Sequence, residues 1–486
     1  MEPLIPLAIE LPPRGSRARL RSLHQQLRAA MLDGRLQPGL RLPSTRALAE
    51  ACSVSRNTVV AAYDLLLGEG YLLALQGSGT VVAGSLPRPQ GPVPISRLPG
   101  DRRLNRHWRT ARAAADRPAG EPARLAFHLG VPDFAGFPLA TWQRLAGRVA
   151  RRQRLELHLE PEPQGLFGLR EAIAQHVSFA RAVACGPSDI VVTAGAQQAF
   201  DLLARVLTPA AGAMVALEEP GYPPVRAAFA ANGARIAAVP VDQDGLVVEL
   251  LPERARVICV TPSHQFPLGS VMSVQRRIEL LDFCRRRDCV VIEDDYDGEF
   301  RFGSRPLDAL QTLDRGQSVF YVGTFSKCLS PDLRLGYIAA PPWARDALVA
   351  AKRAAGWTGS TVQTTLALLI KEGHLRRHVG KMQRLYAERR RVLLQALNGE
   401  LGRWLEPLPS LAGLHVTAKL RRAGSEAALV ERLRAAGVGV SALRPFYHGP
   451  PAMRGLMFGY GNIGATAIAE GLHIMRQAMP VDGSRI

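Results

Sequence analysis

The stretch Tyr321-Val-Gly-Thr-Phe-Ser-Lys327, followed by Arg334, decides the fold of most of this chain. A short apolar run ends in a Ser-Lys pair, and an arginine follows seven residues after the lysine. The lysine amine can form a Schiff base with an aldehyde, and Thr324, Ser326 and Arg334 can face a phosphate. The stretch therefore predicts a site for an aldehyde cofactor that carries a phosphate group.

Three side chains upstream of the lysine can hold the ring of such a cofactor. Asp294 lies at the C-terminal end of a predicted buried strand, where a carboxylate keeps a pyridine nitrogen protonated. Tyr296, two residues on, points the same way and can hydrogen-bond a ring hydroxyl. Tyr222, in Glu219-Pro-Gly-Tyr222, is the candidate clamp on the ring face. Together they predict a pyridoxal phosphate (PLP) site.

A glycine turn, Thr193-Ala-Gly-Ala-Gln197, joins a predicted strand to a predicted helix. The backbone N–H groups of Ala196 and Gln197, at the helix N-terminus, form an anion site for the phosphate. Glycine turns and Ser-Lys pairs are each common in structural roles. Their order along the chain, from this turn to Arg334, favours the cofactor site over that alternative.

Short apolar runs alternate with helical patterns from about Phe127 onward. This alternation predicts an α/β domain with a large, mixed and mostly parallel sheet. A smaller α+β subdomain is predicted over about 375–486, beginning with a long basic helix to about Leu401. The predicted strands are Ile190–Val192, Met214–Leu217, Val257–Val260, Val290–Ile292, Val319–Val322, Leu414–Lys419 and Gly455–Tyr460.

The first 83 residues predict a winged helix-turn-helix. Helical spacing predicts a first helix over about Ser22–Asp33, and Ser44 and Ser55 cap two further helices, over 45–51 and as far as Gly68. Two short strands, Leu72–Leu75 and Thr80–Ala83, flank Gln76-Gly-Ser-Gly79 as a hairpin. On the third helix, Val59, Leu65 and Leu66 are expected to face the core.

The third helix begins with Ser55-Arg-Asn-Thr-Val59, which is typical of a DNA-recognition helix. Arg56 can bind guanine, Asn57 can pair with adenine, and Thr58 can hold a phosphate. The alternative is a small helical cap with ordinary surface arginines, which the tight hairpin makes less favourable. The predicted DNA contacts are Arg46, Ser55, Arg56, Asn57, Thr58, Gly77 and Ser78.

The composition agrees with a nucleic-acid partner. The 486 residues include 61 Lys and Arg against 42 Asp and Glu, which gives a formal net charge of +19. Residues 84–125 are rich in proline and arginine and predict a linker, with a helix near Leu104–Ala115. This linker is either a solvated spacer or a basic arm that contacts DNA phosphates.

The motifs of the first 83 residues, among them Ser55-Arg-Asn-Thr-Val59 and the glycine-tipped hairpin, resemble the N-terminal domain of GntR-type bacterial transcription regulators. The aminotransferase-like pattern that follows, from Thr193 to Arg334, marks the MocR subfamily. The resemblance covers nearly the whole chain. It implies domains at 1–83 and 126–486, a fold-type-I PLP domain, and a homodimer, often head-to-tail, that reads two half-sites of a double-stranded operator. It also leaves His264 or Gln265 to meet the ring oxygen, in the loop where aminotransferases carry an asparagine.

Two departures bear on catalysis. The aminotransferase arginine that binds a substrate α-carboxylate would fall near Met457. Arg454 and Arg226 could substitute for it, but neither matches the motif. The tyrosine that reaches the partner's phosphate is replaced by Glu160. The leading hypothesis is therefore a transcription regulator that senses PLP, an amine or an amino acid through aldimine exchange at Lys327, without physiological turnover.

Two alternatives remain open: an active aminotransferase with an N-terminal extension, and a DNA-binding protein whose PLP domain only dimerises. The six cysteines show no Cys-x-x-Cys spacing, so no metal site is expected. No signal-peptide pattern and no apolar run of membrane-spanning length occurs. We therefore expect a bacterial cytoplasmic protein with no membrane partner.

Overall fold

The computed structural model describes residues 7, 9–13, 16, 18–75, 79–84, 123–153, 162–208, 212–302, 308–422 and 424–479. The chain divides into two compact units, Met1–Asp101 and Arg102–Ile486. Gly77, Ser78, Glu160 and the predicted linker helix near Leu104–Ala115 lie outside the described residues. Within the described part, no helix is both long and apolar enough to cross a membrane.

The described part of the first unit contains three helices and a hairpin, in the predicted order. Ser44 and Ser55 cap the second and third helices, each accepting a hydrogen bond from the backbone N–H three residues later. The first helix begins three residues earlier than predicted. The elements are α1 (Arg19–Leu32), α2 (Thr45–Ala51), α3 (Arg56–Gly68), β1 (Leu72–Leu75) and β2 (Gly79–Val82), with β1 and β2 antiparallel.

The three helices enclose one apolar core. Leu27 of α1 and Val59 and Leu66 of α3 are fully buried in it. The prediction for Leu65 was wrong, since this side chain is 47% exposed. Leu66 lies seven residues, or two turns, after Val59 and shares its face, whereas Leu65 is rotated about 100° away from Leu66 around the helix axis.

The second unit is built on an eight-stranded sheet with the order β4-β11-β10-β9-β8-β5-β6-β7. All neighbouring pairs among β10, β9, β8, β5 and β6 are parallel, whereas β11 runs antiparallel to both of its neighbours. The strands are β4 (Ile190–Thr193), β5 (Met214–Glu219), β6 (Arg235–Asp242), β7 (Gly245–Leu246), β8 (Ala255–Val260), β9 (Val290–Asp295), β10 (Val319–Thr324) and β11 (Gly336–Ala339). The mixed, mostly parallel sheet is the predicted one.

Helices follow most of these strands. Their caps and lengths fit the sequence pattern; for example, Ser273 caps the helix before β9. The helices are α4 (Leu139–Gln153), α5 (Phe167–Arg181), α6 (Ala196–Leu207), α7 (Pro223–Ala231), α8 (Val274–Arg287), α9 (Arg345–Ala355), α10 (Ser360–Lys371), α11 (His374–Asn398), α12 (Glu426–Ala435) and α13 (Ala465–Ala478).

The C-terminal part forms a smaller antiparallel sheet with the order β12-β13-β16-β15, as the predicted α+β subdomain requires. A short parallel pair, β3 with β14, ties this part to the segment before α4. The strands are β3 (Leu125–Ala126), β12 (Leu405–Pro407), β13 (His415–Leu420), β14 (Val438–Gly439), β15 (Ser441–Ala442) and β16 (Gly455–Gly459).

The carboxyl ends of β4, β5, β8, β9 and β10 meet at one edge of the large sheet, because these strands share one direction. Ligands in open α/β sheets bind at that edge. The predicted site residues, namely the glycine turn, Tyr222, the His264 loop, Asp294 and Lys327, lie at or just beyond the ends of these five strands. The topology therefore brings them together.

Candidate functional site

Lys327 lies three residues beyond the end of β10, in a cavity of about 320 Å³. Its Nζ donates a hydrogen bond of 2.7 Å to the Gly130 carbonyl. Burial lowers the pKa of the amine, while the carboxylates of Asp297 and Asp294 raise it. A lowered pKa increases the neutral fraction, which is the form that attacks an aldehyde.

Asp294 occupies the next-to-last position of β9, beside β10 in the sheet. Burial, together with Asp295 and Asp297, raises the pKa of its carboxyl well above the ordinary value. Among the described residues, Asp294 Oδ1 is buried and has no hydrogen-bond partner. A buried acceptor of this kind normally has a donor, and a protonated pyridine nitrogen supplies one. The carboxylate therefore fits PLP.

The candidate phosphate-binding end of the site is the turn between β4 and α6. Gly195 caps α6 with a positive φ of 78°, and the first N–H groups of the helix begin at Ala196. Arg334 donates 2.9 Å from Nη2 to the Ala194 carbonyl, which holds the guanidinium against this turn. Thr324 Oγ1 lies 3.0 Å from Ser326 Oγ. One cation and two hydroxyls thus surround the anion site.

Aromatic side chains line the cavity on the side where the cofactor ring is expected. The Tyr222 ring meets the Phe266 ring edge to face, with centroids 5.5 Å apart. Phe266 in turn contacts Phe446 at 5.2 Å. Tyr222 is 40% exposed, so it stands at the mouth of the cavity. Its position agrees with a clamp on one face of a planar ligand.

His264 is placed behind the cavity wall and not among its lining residues. Its Nδ1 lies 3.0 Å from Asp297 Oδ2 and 2.8 Å from the Tyr296 hydroxyl, and its Nε2 lies 3.1 Å from Ser410 Oγ. Gln265 holds its own loop, donating to the Pro220 and Phe266 carbonyls. In this structure Tyr296 faces the cavity, and His264 orients it.

Three ligand-type groups near the cavity, His264, Asp297 and His415, lie within 4.8 Å of one another. Each already has a hydrogen-bond partner; His415 Nε2 lies 3.1 Å from the Pro267 carbonyl. Burial lowers the pKa of His415 to about 3, so its ring is neutral. These groups form a buried polar network, in which His264 is the member that hydrogen-bonds Tyr296.

The cavity brings together nine of the ten side chains predicted to bind the cofactor. They are Ala196, Gln197, Tyr222, Asp294, Tyr296, Thr324, Ser326, Lys327 and Arg334. Sequence reasoning missed several other lining residues, namely Leu129, Gly130, Phe266, Asp297, Pro331, Leu414, His415 and Phe446. Asp297 directly follows Tyr296 in the sequence, whereas the others carry no motif of their own.

The two candidate effector arginines are placed differently. Arg226 lines a smaller adjoining cavity, of about 30 Å³, which shares Tyr222 and Asp294 with the main one. Arg454 is exposed and donates to the Gly424 carbonyl at 2.7 Å. Met457 is fully buried in an apolar cluster. Among the described lining residues, the basic side chains of the main cavity are Lys327, Arg334 and the neutral His415.

The start of α3 presents the predicted DNA-reading side chains. Arg56 and Asn57 are exposed, and Arg46 is exposed on α2. Ser55 is engaged as the helix cap, since its hydroxyl accepts from the Thr58 N–H at 3.1 Å. An exposed arginine that sequence reasoning missed, Arg41, lies against Gly79 of the hairpin. These cations and amides form a surface suited to a DNA groove.

Family models match both units of the chain. Residues 20–82 match the bacterial regulatory proteins of the gntR family, and residues 128–455 match the aminotransferase class I and II family. Regulators with the same two parts match over nearly the full length. The chain belongs to the MocR-type regulators of the GntR family.

Two curated MocR-type relatives illustrate this similarity. The probable rhizopine catabolism regulatory protein MocR of Rhizobium meliloti is 39% identical over 468 residues, covering 94% of this chain and 93% of the relative. The pyridoxine biosynthesis transcriptional regulator PdxR of Corynebacterium glutamicum is 34% identical over 461 residues, covering 94% and 95%. This MocR-type chain is thus a DNA-binding transcription regulator with an aminotransferase-like domain.

A solved structure supports the cofactor assignment. LysN, the α-aminoadipate aminotransferase of Thermus thermophilus, superimposes with a TM-score of 0.67 at 30% identity, covering 73% of this chain and 91% of that one. That structure holds N-(5'-phosphopyridoxyl)-L-leucine. The aminotransferase-like domain of this MocR-type regulator, with its orphaned Asp294 oxygen and helix-end anion site, uses PLP as its cofactor.

Proposed function

We propose that the aminotransferase-like domain is a sensor, and that the ligand state of Lys327 sets how the helix-turn-helix binds its operator. The observation that supports this proposal is the combination of a cavity that gathers nine of the ten predicted cofactor residues around Lys327 with a buried Met457 where a substrate arginine is expected. A domain that binds PLP but positions amino-acid substrates poorly is suited to respond to a bound ligand without rapid turnover.

The proposed cofactor chemistry depends on the amine of Lys327. PLP, when bound, supplies an aldehyde that reacts reversibly with primary amines. The lowered pKa of Lys327 favours capture of that aldehyde, and an incoming amine can compete with the lysine for it. The effector class is therefore PLP itself, or a primary amine or amino acid.

The buried Met457, at the position where a substrate-binding arginine is expected, disfavours rapid turnover. Bidentate arginine contacts position a carboxylate for reaction, and losing such a contact lowers the rate through misorientation. Arg226 lies beside Tyr222 and Asp294, in the adjoining small cavity, and is the candidate to contact an effector carboxylate. Arg454, held at the Gly424 carbonyl, has less support.

The proposed assembly is a homodimer, with a head-to-tail arrangement following from the family resemblance. Two copies would present two recognition helices, and two-fold proteins read operators with two half-sites. An effector that favours one state of the dimer would then shift the population that binds the operator.

A paired assay tests this function against an aminotransferase with an inert extension. The protein with PLP is incubated with amino donors and a keto acid, and product release is followed beside gel shifts on DNA selected from genomic fragments. We expect a specific shift that responds to PLP or an amine, and slow or undetectable product release. Rapid turnover without a specific shift would establish the aminotransferase instead.

A further inference from the structure

A second lysine, Lys352 of α9, is buried in the apolar layer behind the cofactor site. Lys352 is only 1% exposed, and its Nζ donates a hydrogen bond of 2.5 Å to Gln198 Oε1 on α6. Among the described residues, no carboxylate comes within ion-pair distance of this amine. Fully buried lysines are rare without a counter-ion, so this position calls for an anion.

The acidic groups on the two packed helices do not supply that anion. Asp201 is the acidic residue of α6, and it pairs with Arg205 at 2.7 Å. Asp346 is the acidic residue of α9, and it is exposed at the start of that helix. Burial lowers the pKa of Lys352 to about 8, which leaves the ammonium predominant at neutral pH.

Gln198 connects this amine to the phosphate turn. The same Gln198 Oε1 that accepts from Lys352 also accepts from the Ala194 N–H at 2.8 Å. On its other side, the Ala194 carbonyl accepts from Arg334. The peptide groups of Ala194 are therefore held between an outer cation, Arg334, and an inner one, Lys352.

This arrangement has an electrostatic consequence for a bound phosphate. Lys352 reaches the first turn of α6 through Gln198, the third residue of that helix, and the N-terminus of the same helix is where a phosphate would bind. In the apolar layer between α6 and α9, water screens the ammonium weakly, so attraction to a nearby dianion is stronger than at the surface. The turn is also pre-shaped, because Gln198 fixes its backbone.

We propose that Lys352 is a positioning residue for the cofactor phosphate: through Gln198 it fixes the Ala194 turn, and its charge backs the anion site from inside the protein. The inference needs PLP phosphate at this turn, and it does not depend on the domain sensing an effector. It assigns a function to a buried cation that otherwise has no counter-ion among the described residues.

The test compares PLP with pyridoxal, which has the same ring and aldehyde but no phosphate. In Lys352→Met, we expect the dissociation constant of PLP to rise about tenfold, the size of one interaction with a charged group, while that of pyridoxal changes little. Arg353→Met is the matched control, since it removes an exposed charge from the same helix; it should leave both constants unchanged.

A second variant keeps the test decisive if Lys352→Met does not fold. Gln198→Glu places a carboxylate on Lys352, which neutralises its charge without changing the size of the side chain. We expect a folded protein with weaker PLP binding and nearly unchanged pyridoxal binding. Equal weakening of both ligands, no weakening of either, or an equal effect of Arg353→Met would overturn the proposal. DNA binding is not part of the readout, so its outcome bears on the sensor function alone.

Discussion

The Lys327 amine and the Gly130 carbonyl are joined by a hydrogen bond of 2.7 Å, although 197 residues separate them in the sequence. Gly130 has a φ of +65°, and a Cβ there would lie 2.6 Å from Lys327 Nζ. The segment before α4 thus approaches the reactive amine so closely that a side chain at position 130 would force the Lys327 amine to move.

Gly130→Ala should therefore displace Lys327 and slow covalent incorporation of PLP, which the visible absorbance of the bound cofactor measures. Gly373→Ala is the matched control, because Gly373 has a similar φ of +71° but no atom within 4 Å of its Cβ position. Both variants carry the backbone strain, of about 1 kcal/mol or more. Equal incorporation by the two variants would contradict the close approach.

Asp294→Asn should raise the stability of the cofactor-free protein and weaken its binding of PLP. The folded protein raises the pKa of this carboxyl well above its ordinary value, so its ionised form costs free energy at pH 7 in the cofactor-free protein. The amide removes that cost. We expect urea denaturation to show a cofactor-free variant more stable than the original chain, and titration to show weaker PLP binding. A variant that loses stability, or that binds PLP as tightly as the original chain, would refute the account of Asp294.

The pH dependence of cofactor incorporation should report the lowered pKa of Lys327. Only the neutral amine attacks the aldehyde, so the rate should rise with pH through a midpoint below 10.5 and then level off. Asp297→Asn removes the stronger of the two carboxylate effects that raise this pKa, so the midpoint should move to lower pH. Asp332→Asn, at an exposed position, serves as control. An unmoved midpoint in Asp297→Asn would show that this carboxylate does not act on Lys327.

Arg56→Ala should weaken specific DNA binding by about 1–3 kcal/mol if this arginine makes a bidentate contact with a base. Arg56 is exposed at the start of α3, and its Nε lies 3.4 Å from Thr45 Oγ1 of α2. Binding to random-sequence DNA is the comparison, and fluorescence anisotropy measures both. An equal loss on the two DNAs would mean that Arg56 contacts only phosphate.

Periodicity and strand-end motifs predicted both fold classes, and nine of the seventeen residues that line the cavity. Asp294 and Lys327 were found because a strand end fixes where each side chain points, and neighbouring parallel strands end at one edge. Gly130 and His415 were missed, since they reach the site from distant segments that only tertiary packing brings together. Strand β6 was missed too, as its burial is irregular and Pro240 interrupts its pattern.

The sensor claim is tested most directly by Lys327→Ala, with Lys381→Ala as an exposed-lysine control. The measurement is operator affinity, by fluorescence anisotropy, with and without PLP and a primary amine. We expect the original chain and Lys381→Ala to change affinity when ligand is added, and Lys327→Ala to bind DNA without that response. A ligand response that survives in Lys327→Ala would contradict sensing through this lysine, and would leave the PLP domain as a dimerisation scaffold.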